Sequence, residues 1–557
     1  MNPSAAPLTT PRSGWKWAVR GDLNAFFGLM LDNLSGMILM ASLLVGVFEL
    51  PRAYVLRNMI PGTAVGVLVG DVIFTVMAFR LARRSGRDDV TAMPLGLDTP
   101  STFGAVFLII GPAYQAALKR GLDADHAARH AWFLGIAMLL ASGIFKLACS
   151  FVSGWVRGVV PRAGLLGSLT AIALVIISFL PGVDIMAHPV AGMTSLILIL
   201  ATLTARWHFP RGIPGALGAV AAGCLVYYGM HLLGLGPGLG SEGESPDLAW
   251  RATLPFPMVD WWAWFGVSWR EAVGYLPVAI PLALATVIGG IDCTESAAAA
   301  GDDYHTGMVI AVEGLATLLG GMFGGVIQST PYIGHPAYKA MGARAGYTLA
   351  TAIFVGAAGV LGYFDWFFYL IPKAVIFPIL IFIGLEITAQ SFHATPRRHY
   401  PAVALACVPA LAYLAILAVN QVLPEVGKPF EALRLTTQHW ILTVTMISGG
   451  FIVTSLLWAA TLSHLIDGRM RPAAATLVVA AVCSWFGVIH SPLPSTPILP
   501  PDQVIAELKA SGRWPAAAQQ TPYHWAGAYL AAAVALMALS RWGSPPIRPE
   551  SDAPEAH

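Results

Sequence analysis

The chain has 557 residues, of which 56% are apolar and only 11% charged, and its net charge is +2. A soluble protein of this size needs far more charge to cover its surface, and the near-neutral balance implies no nucleic-acid or polyanion partner. Five cysteines (Cys149, Cys224, Cys293, Cys407, Cys483) lie in apolar segments without CxxC spacing and read as buried thiols rather than disulfide or metal ligands.

The first element is a polar, basic tail, Met1–Arg20, with no cleavable signal pattern. Apolar runs of about the 20 residues that cross a bilayer then follow. They fall near 24–48, 59–79, 98–115, 131–152, 160–180, 189–205 and 212–234 in the first half. In the second half they fall near 272–299, 307–325, 331–342, 346–363, 367–390, 400–420 and 440–462, with two more at 472–490 and 524–540. The third and tenth are short and broken by Pro and Gly. Arg12, Lys16, Arg20, Arg80, Arg83, Arg84, Arg87, Arg157, Arg162, Arg206, Arg211, Arg397, Arg398, Arg469, Arg471, Arg541 and Arg548 fall on one side if every segment crosses once, while the opposite loops carry Lys and Arg (Arg52, Arg57, Lys119, Arg120) less densely. Both termini are therefore expected on the cytoplasmic side of a bacterial-type inner membrane. A Gly-, Pro- and Trp-rich loop, 235–271, divides the chain.

Two pairs of segments look like copies. Val160-Pro161-Arg162-Ala163-Gly164 opens the fifth span, and Ile371-Pro372-Lys373-Ala374-Val375 opens the twelfth. The broken segments Thr91–Ser101 and Gln328–Pro336 are each third in their half. A seven-span unit has an odd number of crossings, so its second copy inserts upside-down. Inverted repeats with paired discontinuous helices point to a carrier whose site lies where the broken helices meet, because irregular backbone survives at membrane depth only when buried or facing water.

These segments resemble the xanthine/uracil permeases of the nucleobase–cation symporter-2 group, nearest the adenine/guanine/hypoxanthine branch. The resemblance is carried by Pro331–Gly346, by Met93–Asp98, by Gly290–Glu295 and by Phe209–Pro214, and it covers roughly residues 20–462. It implies an all-α polytopic membrane protein with a 7+7 inverted repeat and two discontinuous helices. The implied layout is a cytoplasmic tail (1–20), a core domain (21–157 and 272–363), a gate domain (158–236 and 364–462) and an extracytoplasmic loop (237–271). Beyond the family's fourteen spans, two additional spans (463–541) and a cytoplasmic tail (542–557) follow. The family's tenth-span carboxylate falls at Gly334 or His335, and neither is acidic.

A charged side chain at a helix centre costs about 2.5–3.5 kcal/mol on insertion scales, so each one invites an explanation. Asp292 and Glu295 lie three apart on one helical face and raise one another's affinity for a proton; the alternative is capping or pairing at a span end beside Asp302 and Asp303. Asp98, with Thr99 and Ser101, and His335, beside Gly334, begin the two half-helices, whose N-termini carry about +0.5 charge and free N–H groups. Asp98 is equally a plain N-cap; His335 titrates near neutrality. Gln328, Ser329 and Thr330 offer directional hydrogen bonds, and Asp32, beside Asn33, is the first-repeat equivalent of Asp292. Glu313, Lys146, Glu386 and Lys339 read as paired or snorkelling charges.

Together these residues predict a secondary active transporter, proton-coupled through Asp292, Glu295 and His335. By the resemblance, its expected substrate is a nucleobase or related small heterocycle, moved by an elevator-type mechanism. The alternative is a sulfate- or carboxylate-type anion carrier on the same fold. No HExxH, GxSxG or Walker loop marks an enzyme, and neither a cofactor nor a metal is implied. The expected partners are a small-molecule substrate, H+ and the lipid bilayer, with a homodimer through the gate domain as the resemblance implies.

Overall fold

The computed structural model describes residues 16–159, 162–235, 252–332, 334–393, 395–425, 430–493, 499–510 and 514–542. Val160 and Pro161, Ile333, the whole 236–251 stretch and the tails before residue 16 and after 542 are among those outside them, and so are the readings that rest on those residues.

The fold is all-α and polytopic. In chain order its elements are α1 (Gly21–Gly46), α2 (Arg52–Ser85), β1 (Leu95–Leu97), α3 (Thr99–Lys119), α4 (Ala124–Val159), α5 (Leu166–Ala187), α6 (Pro189–Thr204) and α7 (Gly215–Leu232). Then come α8 (Met258–Gly274), α9 (Leu276–Ala299), α10 (Thr306–Met322), β2 (Ser329–Pro331), α11 (His335–Ala340), α12 (Gly346–Val360) and α13 (Phe364–Leu370). The chain closes with α14 (Lys373–His393), α15 (Tyr400–Glu425), α16 (Leu435–Ser448), α17 (Phe451–Ile466), α18 (Met470–Trp485), α19 (Pro501–Ala510) and α20 (Thr521–Trp542). Among the described residues ten helices are long and apolar enough to cross a membrane, or twelve if each of two bent pairs counts as one span. With the shorter apolar helices α6, α10 and α18 and the stub α11, these account for all sixteen expected segments.

Three details differ from expectation. The span expected at 440–462 is two helices, α16 and α17, bent by 74° at Gly449-Gly450, where Gly450 takes a left-handed φ of 67° that favours glycine. The stretch expected as loop to 271 ends in a helix, α8, which docks through indole N–H bonds from Trp261 to the Phe133 carbonyl (2.9 Å) and from Trp264 to His130 Nδ1 (3.0 Å). The expected span 346–363 runs on, bent by 91°, into α13.

The chain forms two compact units. Unit 1 comprises Met1–Ser153, Pro181–Trp269 and Leu282–Phe382. Its centre is α2, packed on α10 and α12. Gly62, Gly66 and Gly70, four residues apart, let the backbone at Phe323–Gly325, Ala316 and the Leu95 side chain approach, as small residues do where membrane helices pack closely.

Unit 2 comprises Gly154–Leu180, Arg270–Pro281 and Ile383–His557. In it α20 packs on α18, and the segment 488–491 lies in the break between α16 and α17. There the His490 N–H donates to the Gly449 carbonyl (2.9 Å), and the His490 ring stacks on Trp525 with centroids 3.8 Å apart. Its Nδ1 meets the Met446 carbonyl at 3.0 Å and its Nε2 the Tyr529 hydroxyl at 2.7 Å. The two additional C-terminal spans are thereby bonded into unit 2.

Candidate functional site

The two interrupted segments meet. β1 and β2 pair antiparallel with Leu95 opposite Pro331, Gly96 opposite Thr330 and Leu97 opposite Ser329. The pairing extends at both ends, where the Tyr332 N–H donates to the Pro94 carbonyl (2.8 Å) and the Asp98 N–H to the Gln328 carbonyl (2.9 Å). Pro94 before β1 and Pro331 at the end of β2 cannot continue a helix, and Pro100 and Pro336 pre-set the first turns of α3 and α11. Extended backbone here has its polar groups satisfied by the partner strand rather than by water, as membrane depth demands.

Around this ladder the side chains are buried and interlocked. Asp98 is the N-cap of α3: its carboxylate accepts from the Ser101 N–H at 2.7 Å, while its carbonyl accepts from the Ser101 hydroxyl (3.1 Å) and the Thr102 hydroxyl (2.9 Å). Behind β2 stands Lys146 of α4, with no exposed surface; its ammonium donates to the Ser329 carbonyl (3.0 Å) and pairs with Glu313 of α10 at 2.8 Å, also fully buried. The Thr317 hydroxyl brackets Ser329, 3.3 Å from both its N–H and its carbonyl. The Thr286 hydroxyl donates to Gln328 Oε1 at 3.4 Å. The Asp32 carboxylate lies 3.4 Å from where a side chain on Gly96 would begin. Thr99 is buried beside the cap, and Thr330 is half-buried on the ladder.

Asp98, Thr99, Ser101, Asp32, Gln328, Ser329 and Thr330 are therefore brought together on or against the ladder. Asp292 and Glu295, half-buried on α9 and each with a polar or electrostatic partner, share a face nearly opposite Gly290 and Cys293. That other face packs on Glu313 and β2, where the Cys293 thiol reaches the Pro331 carbonyl at 3.4 Å. Gly334 is the N-cap of α11, with no side-chain cap.

His335 belongs to a second cluster. Its Nε2 lies 3.2 Å from the Thr91 carbonyl and 3.3 Å from Asp302. Asp302 also pairs with Lys339 (2.7 Å) and Arg87 (3.3 Å), and it accepts from the Thr91 N–H (3.0 Å). Burial opposes charge on Asp302, but bonds from His335, Lys339 and Thr91 and the Lys339 ammonium outweigh it and hold the carboxyl below its ordinary value. This network staples the loop before β1 to the loop before α10 and to α11.

Sequence reasoning missed Asp71 of α2. Its Oδ1 accepts from the Leu95 N–H at 3.0 Å, and it is wholly buried. A lone carboxylate in the middle of an expected span was the available signal. Among the described residues no group of His, Cys, Asp and Glu could hold a metal ion.

No family model and no curated protein matches this chain. Solved structures do. One is the transmembrane domain of a cyanobacterial bicarbonate transporter, BicA, at 13% identity over 79% of this chain and 97% of that one, with a TM-score of 0.44. Another is the murine solute carrier 26 family member A9 anion transporter, inward-facing, at 15% identity over 74% of this chain and 70% of that one, with a TM-score of 0.45. The resemblance to xanthine/uracil permeases is corrected by these findings: the similar structures are anion transporters, and no permease model matches. The physical reason is visible at the tenth segment, where the position of the family's carboxylate holds Gly334 and a His335 committed to Asp302 and Thr91. What remains is an all-α, multi-pass fold with ten helices, among the described residues, long and apolar enough to cross a membrane.

Proposed function

We propose that the chain is a secondary active transporter that carries a small anion of the bicarbonate, sulfate or carboxylate kind together with protons. The membrane is the cytoplasmic membrane of a bacterial-type cell, with both termini inside. The observation that carries this reading is the antiparallel pairing of Leu95–Leu97 with Ser329–Pro331, because carriers hold their substrates where two interrupted segments converge.

Charge then selects the substrate class. The 21-residue α3 directs its N-terminus, worth about half a positive charge, at the ladder, and Thr99, Ser101 and Thr330 supply hydroxyl donors. Lys146 adds a buried ammonium behind Ser329. Against these stand Asp98, Asp292 and Glu295, which repel an anion while they are ionised. The anion therefore enters with protons, and coupling follows from that electrostatic requirement rather than from a separate device. Asp292 and Glu295, on one face of α9, are the proposed acceptors.

Purified protein in liposomes, given labelled bicarbonate, sulfate or acetate and an inward proton gradient, is expected to accumulate at least one of them. Accumulation collapses with a protonophore and is absent in Asp292→Asn. Failure to accumulate any of the three, or accumulation indifferent to the proton gradient, would refute the reading.

A further inference from the structure

The outer edge of β1 holds two buried oxygen atoms that lack what they need. Leu95 turns its N–H and carbonyl away from β2, toward α1 and α2. Its N–H donates to Asp71 Oδ1 (3.0 Å), and its carbonyl accepts from Asn33 Nδ2 (3.4 Å). Asn33 spends its other amide hydrogen on the Leu29 carbonyl (3.0 Å). Both side chains have no exposed surface. Asn33 Oδ1 and Asp71 Oδ2 are left without a hydrogen-bond partner, although each residue is bonded to the same Leu95 peptide edge. Two buried acceptors, on side chains bonded to the same residue, lack a donor.

One hydrogen satisfies both. We propose that Asp71 is a proton-binding residue, neutral in this conformation, with its acidic hydrogen on Oδ2 directed to Asn33 Oδ1, and that this proton is exchanged during transport. Protonation forms one O–H bond on the carboxylate with a proton taken from water; deprotonation returns it. A hard cation is the poorer occupant, because calcium and magnesium take about six or more oxygens and only two are free here. No buried ammonium is at hand either, since Lys146 is committed to Glu313 and Ser329. The other titratable groups on the elements packed around α2 and β1 are Asp22 and Asp32 of α1, Asp292, Cys293 and Glu295 of α9, Glu313 of α10, His335, Tyr338 and Lys339 of α11, and Tyr347 of α12, whose hydroxyl donates to the Ala92 carbonyl (2.7 Å). Asp71 grips the strand that ends at the α3 cap, so its charge state acts on the ladder directly.

The proton itself is tested apart from transport; only its role in coupling rests on the proposed function. Infrared difference spectra of the full chain in lipid, taken at alkaline pH, read the carbonyl stretch that only a protonated carboxyl gives. Wild type is expected to show a band that Asp71→Asn lacks. The asparagine keeps both bonds, accepting from Leu95 and donating to Asn33, so this variant should fold. Asn33→Leu, which removes the acceptor, should shift the band. Identical spectra for wild type and Asp71→Asn would overturn the proposal, and an unshifted band in Asn33→Leu would overturn the assigned partner. In liposomes Asp71→Asn should lose gradient-driven accumulation; accumulation equal to wild type would overturn the coupling role. If no anion is carried at all, the function proposed above falls while the infrared result still decides Asp71.

Discussion

Lys146 and Glu313 face one another 2.8 Å apart with no exposed surface on either. Two ions taken out of water gain little net stability from each other, but removing one strands the other, at a cost of about 3–5 kcal/mol. Lys146→Met is therefore expected to lower the thermal unfolding midpoint of the detergent-solubilised protein sharply. Lys146→Met combined with Glu313→Gln is expected to recover most of the loss; a double variant as unstable as the single one would mean that Lys146 acts through Ser329 alone. At this scale the sequence was partly legible. A charge inside an apolar span announces that it has a partner, and these two were expected to be paired or snorkelling, but a string of letters does not say that α4 and α10 bring them together. His335 shows the converse limit: it begins a half-helix as expected, yet three-dimensional packing delivers Asp302 to its ring. Asp71 carries the same signal as Asp292, a carboxylate inside an apolar span, but no second acidic residue stands beside it in the chain.

The decisive elements are short and irregular: two three-residue strands and the loops that brace them. Pro and Gly at 94–100 and 331–336 made the breaks visible, since those residues cannot sustain a helix. The strand register could not be read, because the ladder joins segments more than 200 residues apart. Gly449-Gly450 was invisible for the opposite reason: two glycines inside an apolar run look like an ordinary membrane helix, where glycine is common, and only the 488–491 segment lying in the gap explains the bend. The staple around Asp302 gives a pH prediction. Its carboxyl lies below the ordinary value of 3.8 in the folded chain, so the unfolded chain binds more protons in that range. The stabilisation is thus present above about pH 4 and lost as pH falls through the lower, folded value. Unfolding midpoints followed from pH 6 downward (about two units) should show an acid limb that Asp302→Asn flattens. A limb of equal slope in both proteins would remove Asp302 from the staple.

On the scale of the whole molecule, the account depends on two halves of one chain arriving at the same buried place from opposite directions. Composition and span count point to the all-α membrane class, and the repeated broken segments locate the two strands that pair. The proposed substrate class was not legible, because the motif likeness followed helix-breaking residues, whereas that proposal rests on charges assembled only in space. The most direct measurement uses Gly96 and Thr330, opposite one another in the ladder. A hydrogen-bonded antiparallel pair has Cα atoms about 5.5 Å apart, within disulfide reach, and a side chain on Gly96 would meet nothing closer than 3.4 Å. In a chain freed of its five native cysteines, Gly96→Cys with Thr330→Cys is predicted to cross-link on mild oxidation and to block anion uptake until a reductant is added. No cross-link at this pair, alongside ready cross-linking of Leu95→Cys with Thr330→Cys, would contradict the ladder and the site built on it.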